Sequence, residues 1–478
     1  MRKYVFTSVM TAVAGLLAFS VPAAQAQGVG GEQPPAGVVS ATPVKGTPEL
    51  NPSDNNPDQQ VRQIVQCGNM MYAVGSFWDI EQGSNTYTRN NVLSFSATAP
   101  YTLSSWAPDV VGTYGDSSDA SDELNTIGFA NGNCADAYIG GNFTSVNGTT
   151  VKDIAEISTT TGNVVTTFTS NASGPVQTIL GVGNHLLVGG NFKNINGDTT
   201  DPYMVSLNPT TGKSDGFLHL NISGNYDFPG AGSNSTHVFN QQLSHGGTLD
   251  LVEGDFTSVG GLPRQQIFML NVGGSKATVT GWTSPEWDGS NTSAYPYYQC
   301  WPSEAFYIRT AAWSPDDSTV YIATTGFHPA LDDTNPRKGL CDAVAAFPAT
   351  QSSVTQEWIN YSGCDSFYSV SADDAAVYAA GHPRWANNNN GCNQEGPGAT
   401  PDFGLWGLNP STGAVELNSS GTALYTMSRD NAGHMLITQA GLWISSDNRT
   451  VVNRCGDRKG PAGHNAGDHA GICLLPYK

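Results

Sequence analysis

The sharpest string for chemistry in this 478-residue chain is Gly381-His-Pro-Arg-Trp385. An imidazole beside a guanidinium offers a general base and an anion clamp, the pair that a transition state developing negative charge would use. With Asp342 or Asp365 as carboxylate partner, His382 and Arg384 form the candidate catalytic set of a polysaccharide lyase or glycoside hydrolase. A hydrolase needs two carboxyl groups at a set separation, which sequence alone does not give. The competing reading of the same residues is structural. Arg384 pairs with Asp365 or Asp342 to lock adjacent loops, and His382 is a satisfied loop group.

A second set is aromatic. Trp78, Tyr297, Tyr298, Trp301, His328 and Trp385 are candidate ligand-binding residues, with the run Asn387-Asn-Asn-Asn390 beside the last of them. Aromatic faces stack on sugar rings while amides, carboxylates and guanidiniums take hydroxyls, so this mixture suits a glycan. Packing between structural units and solvated loops would use the same residue types. Oxygen ligands at Asp332, Asp333 and Asn335 could hold calcium, but the full EF-hand spacing is missing. His464, Asp468 and His469 could ligate a metal, but their Gly-rich surroundings read as loop. No metal and no cofactor is assigned. Strings of the H-E-x-x-H or P-loop kind are absent.

The scaffold for these residues is repetitive. Ala137-Tyr-Ile-Gly-Gly-Asn-Phe-Thr-Ser-Val-Asn-Gly148 returns as Leu186-Leu-Val-Gly-Gly-Asn-Phe-Lys-Asn-Ile-Asn-Gly197. It returns again as Asp250-Leu-Val-Glu-Gly-Asp-Phe-Thr-Ser-Val-Gly-Gly261, and weakly as Met71-Tyr-Ala-Val-Gly-Ser-Phe77. A common core at unequal steps, with a unit of roughly 40–50 residues, reads as a propeller or a solenoid. The clearest unit gives four strands: 175–182, 185–188, 203–207 and 217–220, with turns at Gly183-Asn184 and Thr210-Thr-Gly212. Four antiparallel strands per repeat is a propeller blade. Starts near Val61, Leu124, Val176, Val238, Ile308, Tyr368 and Leu424 predict an all-β propeller of seven four-stranded blades, a six-bladed ring being the alternative. The last blade takes its outer strand from Ile472–Leu475 or from the N-terminal arm. In the repeats, Gly is expected to let neighbouring blades approach and Phe to fill the gap between them.

These units resemble the delta-60-type, kelch-like propeller repeats of secreted bacterial and fungal surface proteins, on the strings at 140–148 and 189–197 and the later Thr-Gly turns. The second half is similar to actinobacterial secreted propellers of this kind, on Trp313-Ser-Pro-Asp316, Gly339-Leu-Cys-Asp342, Tyr361-Ser-Gly-Cys-Asp365 and Gly381-His-Pro-Arg-Trp-Ala-Asn-Asn388. The resemblance implies the fold and no agreed activity.

The eight cysteines can be placed on the blades. Cys67 and Cys134 fall in hairpins between first and second strands of adjacent blades, hence on one face. Cys300, Cys341, Cys364 and Cys392 fall in blade connections and second-to-third-strand loops, hence on the other face. Bridged Cα atoms are typically about 4.4–6.8 Å apart, so partners must share a face and neighbour in blade order. This predicts Cys67–Cys134, Cys300–Cys341 and Cys364–Cys392, leaving Cys455 with Cys473.

Composition narrows the function. The formal charge of −20 argues against nucleic acid and anionic membranes as partners. Met1-Arg-Lys, an apolar run and Ala24-Gln-Ala26 read as a secretory signal cleaved after Ala26, which implies an extracellular protein with disulfides. Residues 27–58 read as an extended arm or linker, and 59–478 as a single propeller domain with no transmembrane segment, expected to be monomeric. The leading expectation is a binding protein that recognises a cell-wall or extracellular glycan, or a protein, through its long-loop face. The alternative is a carbohydrate-active enzyme on that face.

Overall fold

In the computed structural model the repeat string is a backbone device. The Phe that ends it is buried in every copy: Phe77, Phe143, Phe192 and Phe256 are at most 1% exposed. Its carbonyl accepts the backbone N–H of the residue just before the third strand. The pairs are Asn91 to Phe77, Asp153 to Phe143, Tyr203 to Phe192 and Gln266 to Phe256, at 2.8–3.1 Å. Each of these four residues has positive φ, from 63° to 69°. Its own carbonyl accepts an N–H from the glycine two residues before the Phe, as in Gly141 to Asp153 at 3.0 Å. The loop between second and third strands is thereby closed at its base whatever its length, which is how unequal spacings fit a common core.

The structure describes residues 46–50, 60–112, 123–130, 132–225, 235–287, 300, 306–326, 339–350, 352–381, 383–392, 394–401, 405–418, 424–429, 435–439 and 472–475, the last three by backbone only. Among these, seven sheets follow one another along the chain, each opened by an inner strand. The inner strands are Gln60–Cys67, Glu123–Gly128, Val176–Val182, His237–Leu243, Ile308–Trp313, Phe367–Ala372 and Leu424–Arg429. Each inner strand pairs antiparallel with the strand that follows it, and that strand with a third. Consecutive inner strands lie against one another, and the last lies against the first, so the sheets close a ring. This is a β-propeller, and no helix is present among the described residues. The sheets that begin at Gln60, Glu123, Val176, His237, Ile308, Phe367 and Leu424 are called blades 1 to 7 below. The seventh is completed by Ile472–Leu475, which pairs with Met435–Gln439, so the C-terminal strand supplies it. On the N-terminal side, Glu49–Leu50 pairs with Asp79–Gln82 in the loop hairpin of blade 1.

The blades are less uniform than expected. Blades 4, 5 and 6 carry four strands, whereas the fourth strand expected at 217–220 forms no ladder. In blade 3 the reason is visible. The N–H groups of Phe217, Leu218 and Leu220 go to side chains, namely Asp215, Ser206 and Asp201 at 3.0–3.2 Å. The segment still buries Phe217, Leu218 and Leu220 in the core between blades 3 and 4. Side-chain acceptors replace the ladder while the apolar packing is kept.

Glycine between blades acts as expected. A Cβ on Gly140 would lie 2.5 Å from Val176 of the next blade, and one on Gly189 would lie 2.6 Å from Val238. In the third copy this position is Glu253, fully buried against the next blade, and burial pushes its carboxyl well above the usual range. Asp250, also fully buried, is pushed up for the same reason.

Candidate functional site

Three disulfides have the expected partners: Cys67–Cys134, Cys300–Cys341 and Cys364–Cys392, with Cα separations of 5.6, 5.5 and 4.7 Å. The expected Cys455–Cys473 pair lies outside the described residues at Cys455. Strand register gives the faces. Val61 at the start of its strand pairs with Gly75 at the end of the next. The beginning of an inner strand and the second-to-third-strand loop therefore share one end of the blade. Cys300, Cys341, Cys364 and Cys392 flank these positions on blades 5 and 6. Cys67 ends its strand and sits at the opposite end.

On this loop-rich face the structure brings Arg384 and Asp365 together. The guanidinium donates to both carboxylate oxygens, Nε to Oδ2 at 2.7 Å and Nη2 to Oδ1 at 3.0 Å. Asp365 sits in the connection from blade 5 to blade 6, and Arg384 in the long loop of blade 6, so the pair ties the two together. The guanidinium also lies 4.3 Å from the ring centre of half-buried Trp385. Both charged side chains are mostly buried, at 12% and 7% exposure. The loop is pinned further. Asn387 N–H donates to Asn360 Oδ1 at 2.8 Å, and Asn360 Nδ2 donates back to Asn387 Oδ1 at 2.9 Å. Asn388 is fully buried, donating to the carbonyls of Ser362 and Gln394 and accepting from Gly396 N–H. Half of the asparagine run is thus internal scaffolding.

Asp342 belongs to blade 5 and bonds to the same connection. It has φ of 46° and immediately precedes the third strand of blade 5, Ala343–Pro348. That is the position held by Asn91, Asp153, Tyr203 and Gln266 in the earlier blades. Its carboxylate accepts from Ser366 Oγ at 2.9 Å, and its carbonyl accepts from Ser362. Trp78 is half-buried at the root of the blade 1 hairpin. Tyr297, Tyr298, Trp301, His328 and His382 lie outside the described residues, as do Asp332, Asp333, Asn335, His464, Asp468 and His469. Among the described residues no group of three His, Cys, Asp or Glu side chains gathers that could hold a metal ion. No described helix is long and apolar enough to cross a membrane.

A second arrangement on the same face escaped the sequence reading. Every inner strand carries a register shift near its start, between Val61 and Gln63, Leu124 and Thr126, Val176 and Thr178, Val238 and Asn240, Ile308 and Thr310, Phe367 and Ser369, and Leu424 and Met427. A β-bulge re-aims the extra residue. In blades 1 to 6 the extra residues are Arg62, Asn125, Gln177, Phe239, Arg309 and Tyr368, and all six line one cavity of about 290 Å³ at the centre of the ring. In blades 1 to 6 the residue before the bulge is fully buried between blades. The residue after it is polar, and several of these bond to the next blade: Gln63 accepts from Ile127 N–H at 2.7 Å, Thr126 from Ile179 N–H at 3.1 Å, and Asn240 donates to Thr310 at 3.2 Å. Side chains thus satisfy inner-strand edges that have no neighbouring strand. The triplet apolar–any–polar at each blade start is the signal that could have revealed the ring. Its middle residue varies too much to be noticed one blade at a time.

No protein-family model matches the sequence, and no curated protein matches it. Solved structures to which it has some similarity include the extracellular domain of the putative one component system BT4673 from B. thetaiotaomicron (TM-score 0.42, 10% identity, 92% of this chain), the Mitotic Checkpoint Complex (0.40, 10%, 94%) and the WD40 beta propeller domain of Doa1 (0.33, 9%, 91%). This chain spans 40% of the first of those chains, 98% of the second and 97% of the third. The fold assignment stands on the sheet topology above.

Proposed function

We propose that the chain is an exported binding propeller that recognises a glycan or a protein partner through its loop-rich face, without turning the ligand over. The observation that carries this reading is the pinning of that face. Two disulfides, the Arg384–Asp365 pair and the Asn360, Asn387 and Asn388 bonds fix loops of blades 5 and 6 before any ligand arrives. A preorganised surface loses less entropy on binding. The arginine best suited by sequence to clamp a reacting group already holds Asp365 through two bonds, which favours binding over catalysis. Export rests on the leader read at residues 1–26, with residues 27–58 as an arm, and structural disulfides suit an oxidising compartment. The Gly-Gly-Asn-Phe units are assigned to the delta-60-type, kelch-like class on their pattern.

The test is retention of the secreted protein on a panel of immobilised polysaccharides and cell-wall fractions, with reducing ends and the absorbance of unsaturated products followed in parallel. Retention on a member of the panel with no products formed is the expected result. Time-dependent product release that scales with protein concentration would overturn the non-catalytic reading.

A further inference from the structure

We propose that the channel mouth ringed by the bulged residues is a binding site for an acidic sugar, one carrying a carboxylate or phosphate oxyanion on a polyhydroxylated ring. This rests on the binding reading above and names the ligand class for that face.

The bulges deliver the lining. Six consecutive inner strands each spend their extra residue on this cavity, and the six are two guanidiniums, two carboxamides and two aromatic rings. Buried anchors at Val61, Leu124, Val176, Val238, Ile308 and Phe367, all 0% exposed, fix where each bulge occurs. The lining residues themselves are half-buried, apart from the more enclosed Asn125, so their ends are turned to the cavity and not sealed between blades.

Charge and geometry narrow the ligand. The described lining contains Arg62, Arg309 and His237 and no carboxylate, in a chain whose formal charge is −20. The two guanidiniums bring positive charge to the cavity wall, and low-dielectric walls focus the field of a charge placed in a cleft. The Arg309 guanidinium lies 5.7 Å from the ring centre of Phe239 and 5.5 Å from that of Tyr368. Flanking rings restrict its plane, and a planar guanidinium presents two parallel N–H donors to an oxyanion. Around it stand the amides of Asn125, Gln177, Asn240 and Gln242 and the hydroxyls of Thr310 and Ser369. Asn125 and Asn240 spend a donor on the Val176 carbonyl and on Thr310, and a polyhydroxylated ring can meet the remaining donors and acceptors on several sides. The rings of Phe239 and Tyr368 add apolar faces of the kind sugars stack on. A cavity near 290 Å³ is at the small end for ligand sites and accepts one sugar residue. The expected ligand is therefore a terminal acidic residue or a free sugar acid.

The experiment is isothermal titration of the full secreted chain with galacturonate, glucuronate, glucose 6-phosphate and galactose at low and high NaCl. The acids should bind and galactose should bind about tenfold more weakly or less, since a charged hydrogen-bonded pair commonly contributes that much. Affinity should fall as salt rises. The tighter of the uronates and the sugar phosphate identifies the oxyanion. Arg309→Met and Arg62→Met should each weaken acid binding by about tenfold. Arg309→Lys keeps the charge without the planar fork, and should bind less well than the native chain and better than Arg309→Met. Thermal melting of each variant establishes that it is folded, and the salt and neutral-sugar comparisons need no variant. Galactose binding as well as the acids, or folded arginine variants with native affinity, would overturn the proposal. So would no binding of any acid. If the acids fail while retention on a polysaccharide persists, this inference falls and the binding function stands. If retention is also lost, both fall.

Discussion

Replacing Glu156 by Gln should make the protein more stable in mild alkali and leave it nearly unchanged in mild acid. Glu156 lies on the third strand of blade 2 and is 7% exposed. Burial raises its pKa from 4.5 to about 7, and the charge of Asp136 adds to the rise. Tyr138 Oη lies 3.1 Å from Glu156 Oε1 and 2.9 Å from the carbonyl of Pro209 on blade 3. A hydroxyl has one proton for these two acceptors. A protonated Glu156 resolves this by donating to Tyr138, which then donates to Pro209, whereas a carboxylate competes for the same proton. The folded carboxyl keeps its proton to a higher pH than the unfolded one. The folded state therefore binds more protons between about pH 4.5 and 7, and stability falls as pH rises through that window. The full shift corresponds to about 3 kcal/mol; solvent screening at the partly open end of the pair reduces the expected effect to about 1–2 kcal/mol. A Gln amide can donate to Tyr138 at every pH. Urea midpoints by tryptophan fluorescence at pH 5 and pH 8 should converge for the two proteins at pH 5, with Glu156→Gln ahead at pH 8. Equal destabilisation of the variant at both pH values would refute the reasoning, because the carboxyl would then be acting in its ionised form.

Glu253→Gln should act in the same direction, since burial also holds the Glu253 carboxyl well above its usual range; its gain in melting temperature over the native chain should grow from pH 5 to pH 8. Gly189→Ala should destabilise by about 1–3 kcal/mol in urea unfolding, because its Cβ would lie 2.6 Å from Val238 of a packed neighbouring blade. The same change at Gly197, which has φ of 81° but no atom within 4 Å of the added Cβ, separates backbone strain from overpacking. Removing the Cys364–Cys392 bridge with paired serines should lower stability by about 3 kcal/mol, from the 28-residue loop it closes. Proteolysis of that variant should begin within the long loop of blade 6.

The fold was legible because its repeat is local. Gly-Gly-Asn-Phe strings mark the second strand and the closing of the loop base, and Thr-Gly turns mark the end of the third strand. The expected blade starts fall within one residue of the observed inner strands. Disulfide pairing followed because face and blade order leave few partners within reach. The missing fourth strand of blade 3 was not legible, since Phe217, Leu218 and Leu220 look like a strand by composition while their N–H groups go to side chains. Sequence does not show φ, so the left-handed backbone that puts Asp342 in the same series as Asn91 and Asp153 was not legible. Arg384 was read both ways from sequence, and only the two-bond geometry with Asp365 gives it a definite partner. The channel ring was missed for a physical reason. A bulge is set by how a strand meets its neighbour, so Arg62 and Arg309 appear as isolated charges in a strand until the register is known.

The most direct measurement is diffraction from crystals of the full chain grown with galacturonate. The account predicts an ordered sugar acid at the channel mouth, its oxyanion on Arg309 or Arg62 and its ring among Asn125, Gln177, Phe239 and Tyr368, with the Arg384–Asp365 pair intact. An acid seated instead beside Trp385, with that pair opened and the channel mouth empty, would contradict it.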